Sequence, residues 1–221
     1  MKSTLRIFIA FTLWGSLLSC SPAFVSDDDG FEEKSQTENL ADYLMLQPGN
    51  YWVYESHIVE AETDRIIPLN KYDSLYVATD TLIGHKPYAV LRGTWLGEPF
   101  EAVLRTSGGD LIDANGRLLF TLQRLNDTTL IEPALLPEGA RSGWMTSFFA
   151  PAISVPYGTF DALALLRTLS LAPDPDGNFP AGQQRQESLF YAKGIGLIQY
   201  SSHLLGHPAR IEMRLTRCRV R

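Results

Sequence analysis

The stretch "NYWVYES", residues 50–56, decides the fold. At period two it sets Tyr51, Val53 and Glu55 on one face and Trp52, Tyr54 and Ser56 on the other. A helix would bring its apolar positions back every three to four residues, whereas alternation of this kind belongs to a strand with two unlike faces. The pattern recurs in "KYDSLYVATD" (71–80), "PYAVLRG" (87–93), "FEAVLRT" (100–106) and "RIEMRLT" (210–216). Gly, Asn, Asp and Pro interrupt these runs about every eight to twelve residues, and β-branched and aromatic side chains fill them, which is the composition of an all-β chain. "GTFDALALLRTLSLA" (158–172) fits both periods, and the Gly, Thr and Phe at its start favour strand.

Antiparallel hairpins in sequence, with no alternation of strands and helices, predict a meander. We expect a mostly all-β fold: a curved sheet or half-open barrel with at most one short helix. "TLIGHKPYAVLRG" (81–93) and "HLLGHPARIEMRL" (203–215) echo each other, so Gly84-His85 and Gly206-His207 read as hairpin tips of type II′. Asn115-Gly116 in "LIDANGRLLF" marks a third hairpin. Gly194 and Gly196 in "AKGIGLIQY" straddle Ile195 within a strand-like run, where glycine marks a bulge, a bend or a close backbone approach. "DPDGNFPAGQQRQ" (174–186) reads as a long exposed loop.

The first residues carry a different signal. Lys2 and Arg6 are followed by thirteen uncharged residues, Ile7 to Ser19. A bilayer-spanning helix needs roughly 20 apolar residues, so the run is too short to span. A basic start, a short apolar core and small residues at its end describe a secretory signal over residues 1–19. Leu17-Leu18-Ser19-Cys20 resembles the bacterial lipobox. That resemblance implies cleavage before Cys20 and a diacylglycerol on its thiol; two or more acyl chains hold a protein stably at a membrane. The alternative is an ordinary signal peptide with an incidental cysteine, which leaves a Cys20–Cys218 disulfide open. If Cys20 is acylated, Cys218 is a free thiol.

Residues 20–41 read as a solvated acidic tether, with Asp27, Asp28, Asp29, Glu32, Glu33 and Glu38 against Lys34 alone. Residues 42–221 suit one domain. Without residues 1–19, 25 acids face 17 bases, a net charge of about −8. Such a balance disfavours nucleic acid, whose phosphates need clustered Lys and Arg. The arginines of "RLTRCRVR" read as a solvated strand end.

No pattern points to catalysis. His203 and His207 have the spacing of zinc ligands on a helix, but Gly206 and Pro208 break a helix there. His57 and His85 stand in no metal motif. There is no Gly-x-Ser-x-Gly elbow, and Ser107 precedes a turn. Glu55, Glu62 and Asp64 read as exposed acids. Asp174, Asp176 and Asn178 alternate as calcium ligands do, but the twelfth position of such a loop is Arg185 rather than Glu.

"LQPGNYWVYE" (46–55), the "YDSLYV…IGHKPYAVL" hairpin and "GTFDALAL…ESLFYAKGIGLIQYSS" (158–202) resemble segments of uncharacterised lipoproteins of Bacteroidota-type bacteria. The resemblance implies a fold reminiscent of periplasmic lipoprotein-carrier half-barrels and brings no catalytic residues. The expected protein is therefore a lipid-anchored lipoprotein of the cell envelope, at the outer membrane or cell surface. It would be non-enzymatic and without cofactor, binding or carrying a small hydrophobic ligand. The alternatives are an accessory interaction protein with an envelope partner, and an enzyme of unknown type. A carrier would show a concave apolar pocket; an interaction protein would fill that face with its own side chains.

Overall fold

The computed structural model describes residues 38–136, 140–171, 183–204 and 208–221, all within one compact unit, Thr37–Arg221. One helical turn, α1 (Ala41–Leu44), precedes twelve strands. They are β1 (Tyr51–Val59), β2 (Ile66–Ile83), β3 (Lys86–Trp95), β4 (Glu98–Ser107), β5 (Asp110–Asp113), β6 (Leu118–Thr121), β7 (Thr128–Leu130), β8 (Ala140–Val155), β9 (Gly158–Leu171), β10 (Gln184–Ala192), β11 (Gly196–His203) and β12 (Arg210–Arg219). Short 3-10 turns lie at Leu122–Arg124 and Pro133–Leu135.

The strands form a single antiparallel sheet in the order β6-β5-β4-β3-β2-β1-β12-β11-β10-β9-β8-β7. The chain starts at the centre, meanders out to β6, crosses to the other edge at β7 and meanders back until β12 pairs with β1. This is the mostly all-β curved meander that the alternating runs predict, with residues 158–171 of the ambiguous run as β9.

Topology forces the curvature. Laid flat, twelve strands would span about 50 Å. The edges β6 and β7 are joined by residues 122–127, which reach roughly 25 Å when fully extended. The sheet must therefore curl, and contacts across the curl show it. The rings of Trp95 on β3 and Tyr200 on β11 lie 4.8 Å apart, although four strand spacings, roughly 19 Å, separate their strands along the sheet. Bulges supply the bending. They interrupt the register at Val53/Tyr54, Glu55/His57, Val77/Thr79 and Ala150/Ile153. At Gly93 the backbones of β3 and β2 approach so closely that a Cβ would sit 1.8 Å from the Ser74 carbonyl oxygen. Only glycine fits there.

The inner face holds the core. Trp52, Tyr54, Leu75, Val77, Ile198, Tyr200, Met213 and Leu215 cluster at the sheet centre. Leu40, Tyr43 and Leu44 of the α1 region cluster with Leu111, Phe120 and Leu163, tying the β5–β6 arm to β9. Leu40 is fully buried, so the packed domain begins before residue 42, inside the segment read as tether. Glu38 belongs to this packing as well: it accepts a bond from Tyr43 and pairs with Lys193.

Turn chemistry departs from expectation at Gly84-His85 and at Gly194 and Gly196. Gly84 and His85 join β2 to β3 with φ of 55° and 62°; two positive angles make this type I′ rather than II′. Asn115 and Gly116 lie in the four-residue connection between β5 and β6, where the Asp113 carboxylate accepts from the Asn115 and Arg117 amides. Gly194 and Gly196 do not bend a continuous strand. Lys193, Gly194 and Ile195 are the turn between β10 and β11, and Gly196 opens β11. A Cβ on Gly196 would fall 2.8 Å from the Trp52 indole nitrogen, which donates to the Ile195 carbonyl at 2.6 Å. Gly206 and His207 lie outside the described residues.

Candidate functional site

Inside the curl is a cavity of about 750 Å³, within the roughly 300–1,000 Å³ of small-molecule sites. One wall comes from the β3–β4 arm: Leu91, Trp95, Phe100 and Leu104, with Leu111 beyond. Leu44 and Leu46 of the α1 region contribute, as do Trp52, Tyr54 and Leu75 of the centre and Leu189, Tyr191 and Leu197 of β10 and β11. Leu96 and Leu204 line it while remaining more than a third exposed, so they stand at its rim.

These side chains converge because alternate residues of every strand face inward. On β10, Arg185, Glu187, Leu189 and Tyr191 share the inner face at period two. The register sets Arg167 of β9 opposite Glu187, and Glu187 opposite Ser202 of β11. The apolar cavity thus has one charged wall. Glu187, 3% exposed, takes Nη2 of Arg167 and, at 2.6 Å, Nη2 of Arg185, and Tyr200 donates its hydroxyl at 3.4 Å. Burial, and then the Glu187 charge, push the Tyr200 phenol above its ordinary value. Burial raises Tyr191 to about 12.

A second Arg–Glu–Arg group lies on the outer face. Arg210 Nε donates to Glu212 Oε1 at 2.8 Å, and Arg214 Nε to Oε2 at 2.7 Å. Glu212 is 2% exposed. It sits opposite His57 of β1, whose ring lies 3.7 Å from Glu55. Arg214, one of the four arginines read as a solvated strand end, is therefore half-buried and paired, and β12 is a central strand rather than an edge.

The other residues singled out in the sequence scatter. His57 is on the outer face, His85 on a hairpin tip and His203 at the cavity rim. Among the described residues, no group of three or more His, Cys, Asp and Glu side chains could hold a metal ion. Glu62 and Asp64 belong to the β1–β2 turn, where Asp64 meets Arg210 at 3.4 Å. Cys218 is a free, half-buried thiol on β12; Cys20 lies outside the described residues. So does most of 174–186, whose last residues, Gln184 to Gln186, are strand rather than loop.

The charged wall is absent from the sequence reading. Arg185 entered it only as a mismatch to a calcium loop, and Arg167 and Glu187 did not enter. The signal was the spacing R-x-E-x-L-x-Y over 185–191, which places two charges on the same strand face as two core residues.

No family model matches the chain, and no curated protein matches it. Two solved structures resemble it. One is a Bacteroides fragilis protein described as exported and as having a YmcC-like fold, 12% identical with a TM-score of 0.45. The other is a Parabacteroides distasonis protein described as a lipoprotein, 11% identical with a TM-score of 0.45. Each likeness covers 80% of this chain and 98% of the other.

Proposed function

We propose that this protein is a non-enzymatic binding or carrier module for a small hydrophobic ligand, held at the bacterial cell envelope by lipid on Cys20. The observation that carries this reading is the cavity of about 750 Å³ walled by leucines and aromatic side chains. A curled sheet that served only as scaffold would close its inner face on itself. Interiors pack at crystal-like density, with few voids larger than a water molecule. The lipobox-like Leu17-Leu18-Ser19-Cys20 supports the anchor, and with it a location at the outer membrane facing the periplasm or at the cell surface.

The test is native mass spectrometry of the chain from position 20 onward, with Cys20→Ser, secreted behind a cleavable leader. A discrete excess mass that disappears on denaturation is the expected result, and extraction then identifies the ligand. A bare native mass would count against the carrier reading. A second reading, an accessory interaction protein of an envelope complex, draws on the outer face of β1 and β2. Tyr51, Tyr72 and Tyr76 are all more than a third exposed there, with Tyr51 directly opposite Tyr76.

A further inference from the structure

The charged wall of the cavity is incompletely paired. Among the described residues, four buried side-chain nitrogens and oxygens have no hydrogen-bond partner in the protein, and two of them are Nε of Arg167 and Nε of Arg185. A guanidinium offers five N–H donors and no acceptor. Here two guanidiniums share one carboxylate, which each reaches through Nη2. The group keeps a surplus of one positive charge and buried donors to spare. A buried donor without an acceptor is costly, and an anion is the group that would satisfy both the donors and the charge.

We propose that Arg167 and Arg185 hold the acidic head group of a single-chain amphiphile, a carboxylate or a phosphate monoester, with its hydrocarbon chain against Leu91, Trp95, Phe100 and Leu104. This rests on the cavity being the ligand site. Glu187 tunes the preference: with one guanidinium already neutralised, a singly charged acid brings the wall to neutrality, whereas a cationic head would add to the surplus.

The test is calorimetric titration of the same Cys20→Ser chain with dodecanoate, dodecyl phosphate, dodecanol and inorganic phosphate at about pH 8, where the carboxylic acid is ionised. One or both acids should bind at least about tenfold more tightly than the alcohol, the measure of one charge-assisted hydrogen bond. Whichever acid binds tighter identifies the head group. Arg167→Gln and Arg185→Gln should each lower acid affinity by more than they lower dodecanol affinity, bringing the two together, and an unchanged circular dichroism spectrum reports that the variants fold. Equal binding of acid and alcohol by the unmutated chain would overturn the head-group assignment while leaving the cavity reading standing. Inorganic phosphate binding as tightly as dodecyl phosphate would overturn the amphiphile and leave a free-anion site. Binding of no probe would overturn both the assignment and the carrier reading.

Discussion

Two Arg–Glu–Arg groups sit on opposite faces of the same sheet, and their hydrogen bonding differs. On the outer face, Arg210 and Arg214 each direct Nε at a different oxygen of Glu212. On the inner face, Arg167 and Arg185 reach Glu187 through Nη2, and both Nε atoms are buried without an acceptor. The same three residue types make a closed structural clasp in one place and an open anion site in the other. What separates them is register. Arg210, Glu212 and Arg214 alternate along one strand and face the polar side. Arg167 meets Glu187 across β9 and β10, at the wall of an apolar cavity.

The sharpest break in the comparison of faces is between neighbours on β1. Trp52→Ala should cost about 3–5 kcal/mol, since it empties the centre of the inner core and removes the bond to Ile195. Tyr51→Ala, one residue away on the outer face, should stay within about 0.5 kcal/mol. Urea denaturation of both variants checks the contrast.

Next in size is the pair of glutamates. Glu212→Gln leaves two guanidiniums facing each other without their carboxylate, and breaking such a buried pair costs about 3 kcal/mol. Glu187→Gln should destabilise less, recover more stability than the unmutated chain when dodecanoate is added, and bind dodecanoate more tightly. A Glu187→Gln chain that melts as Glu212→Gln does, and is indifferent to dodecanoate, would erase the distinction between the two groups.

The smallest effect is in pH. Burial, and for Tyr43 then its bond to Glu38, hold the Tyr43 and Tyr191 phenols up to about 12. The folded state therefore retains two protons that the unfolded state, titrating near 10, releases. Stability should be unaffected by these groups below about pH 10 and fall as pH rises from 10 towards 12. Thermal melts across that range, with tyrosinate absorbance followed in parallel, measure it. Full tyrosine ionisation near pH 10 in the folded protein would contradict it.

Much of the architecture is legible in alternation alone. "NYWVYES" sends Trp52, Tyr54 and Ser56 inward, as the structure does, because a half-buried strand has one repeat and a one-residue slip would reverse every side chain. His57 keeps that alternation on the outer face, and it is buried there because it sits opposite the buried Glu212 of β12. Turn types were less legible. Gly-His is compatible with either primed turn, and the choice of I′ depends on His85 accepting a positive φ, a conformation that histidine enters more readily than most residues. The charged wall was the least legible part. Its partners lie 20 residues apart, at 167 and 187, and meet only through the β9–β10 register.

The central claim is that an apolar chain lies inside the curl. The most direct test is photolabelling with a dodecanoate analogue that carries a diazirine at its methyl end, followed by peptide mapping. Labelling concentrated on residues 89–104, where Leu91, Trp95, Phe100 and Leu104 wall the cavity, is the expected result, with competition by unlabelled dodecanoate. Labelling spread over the outer-face residues of β1 and β2, or insensitive to competitor, would contradict it.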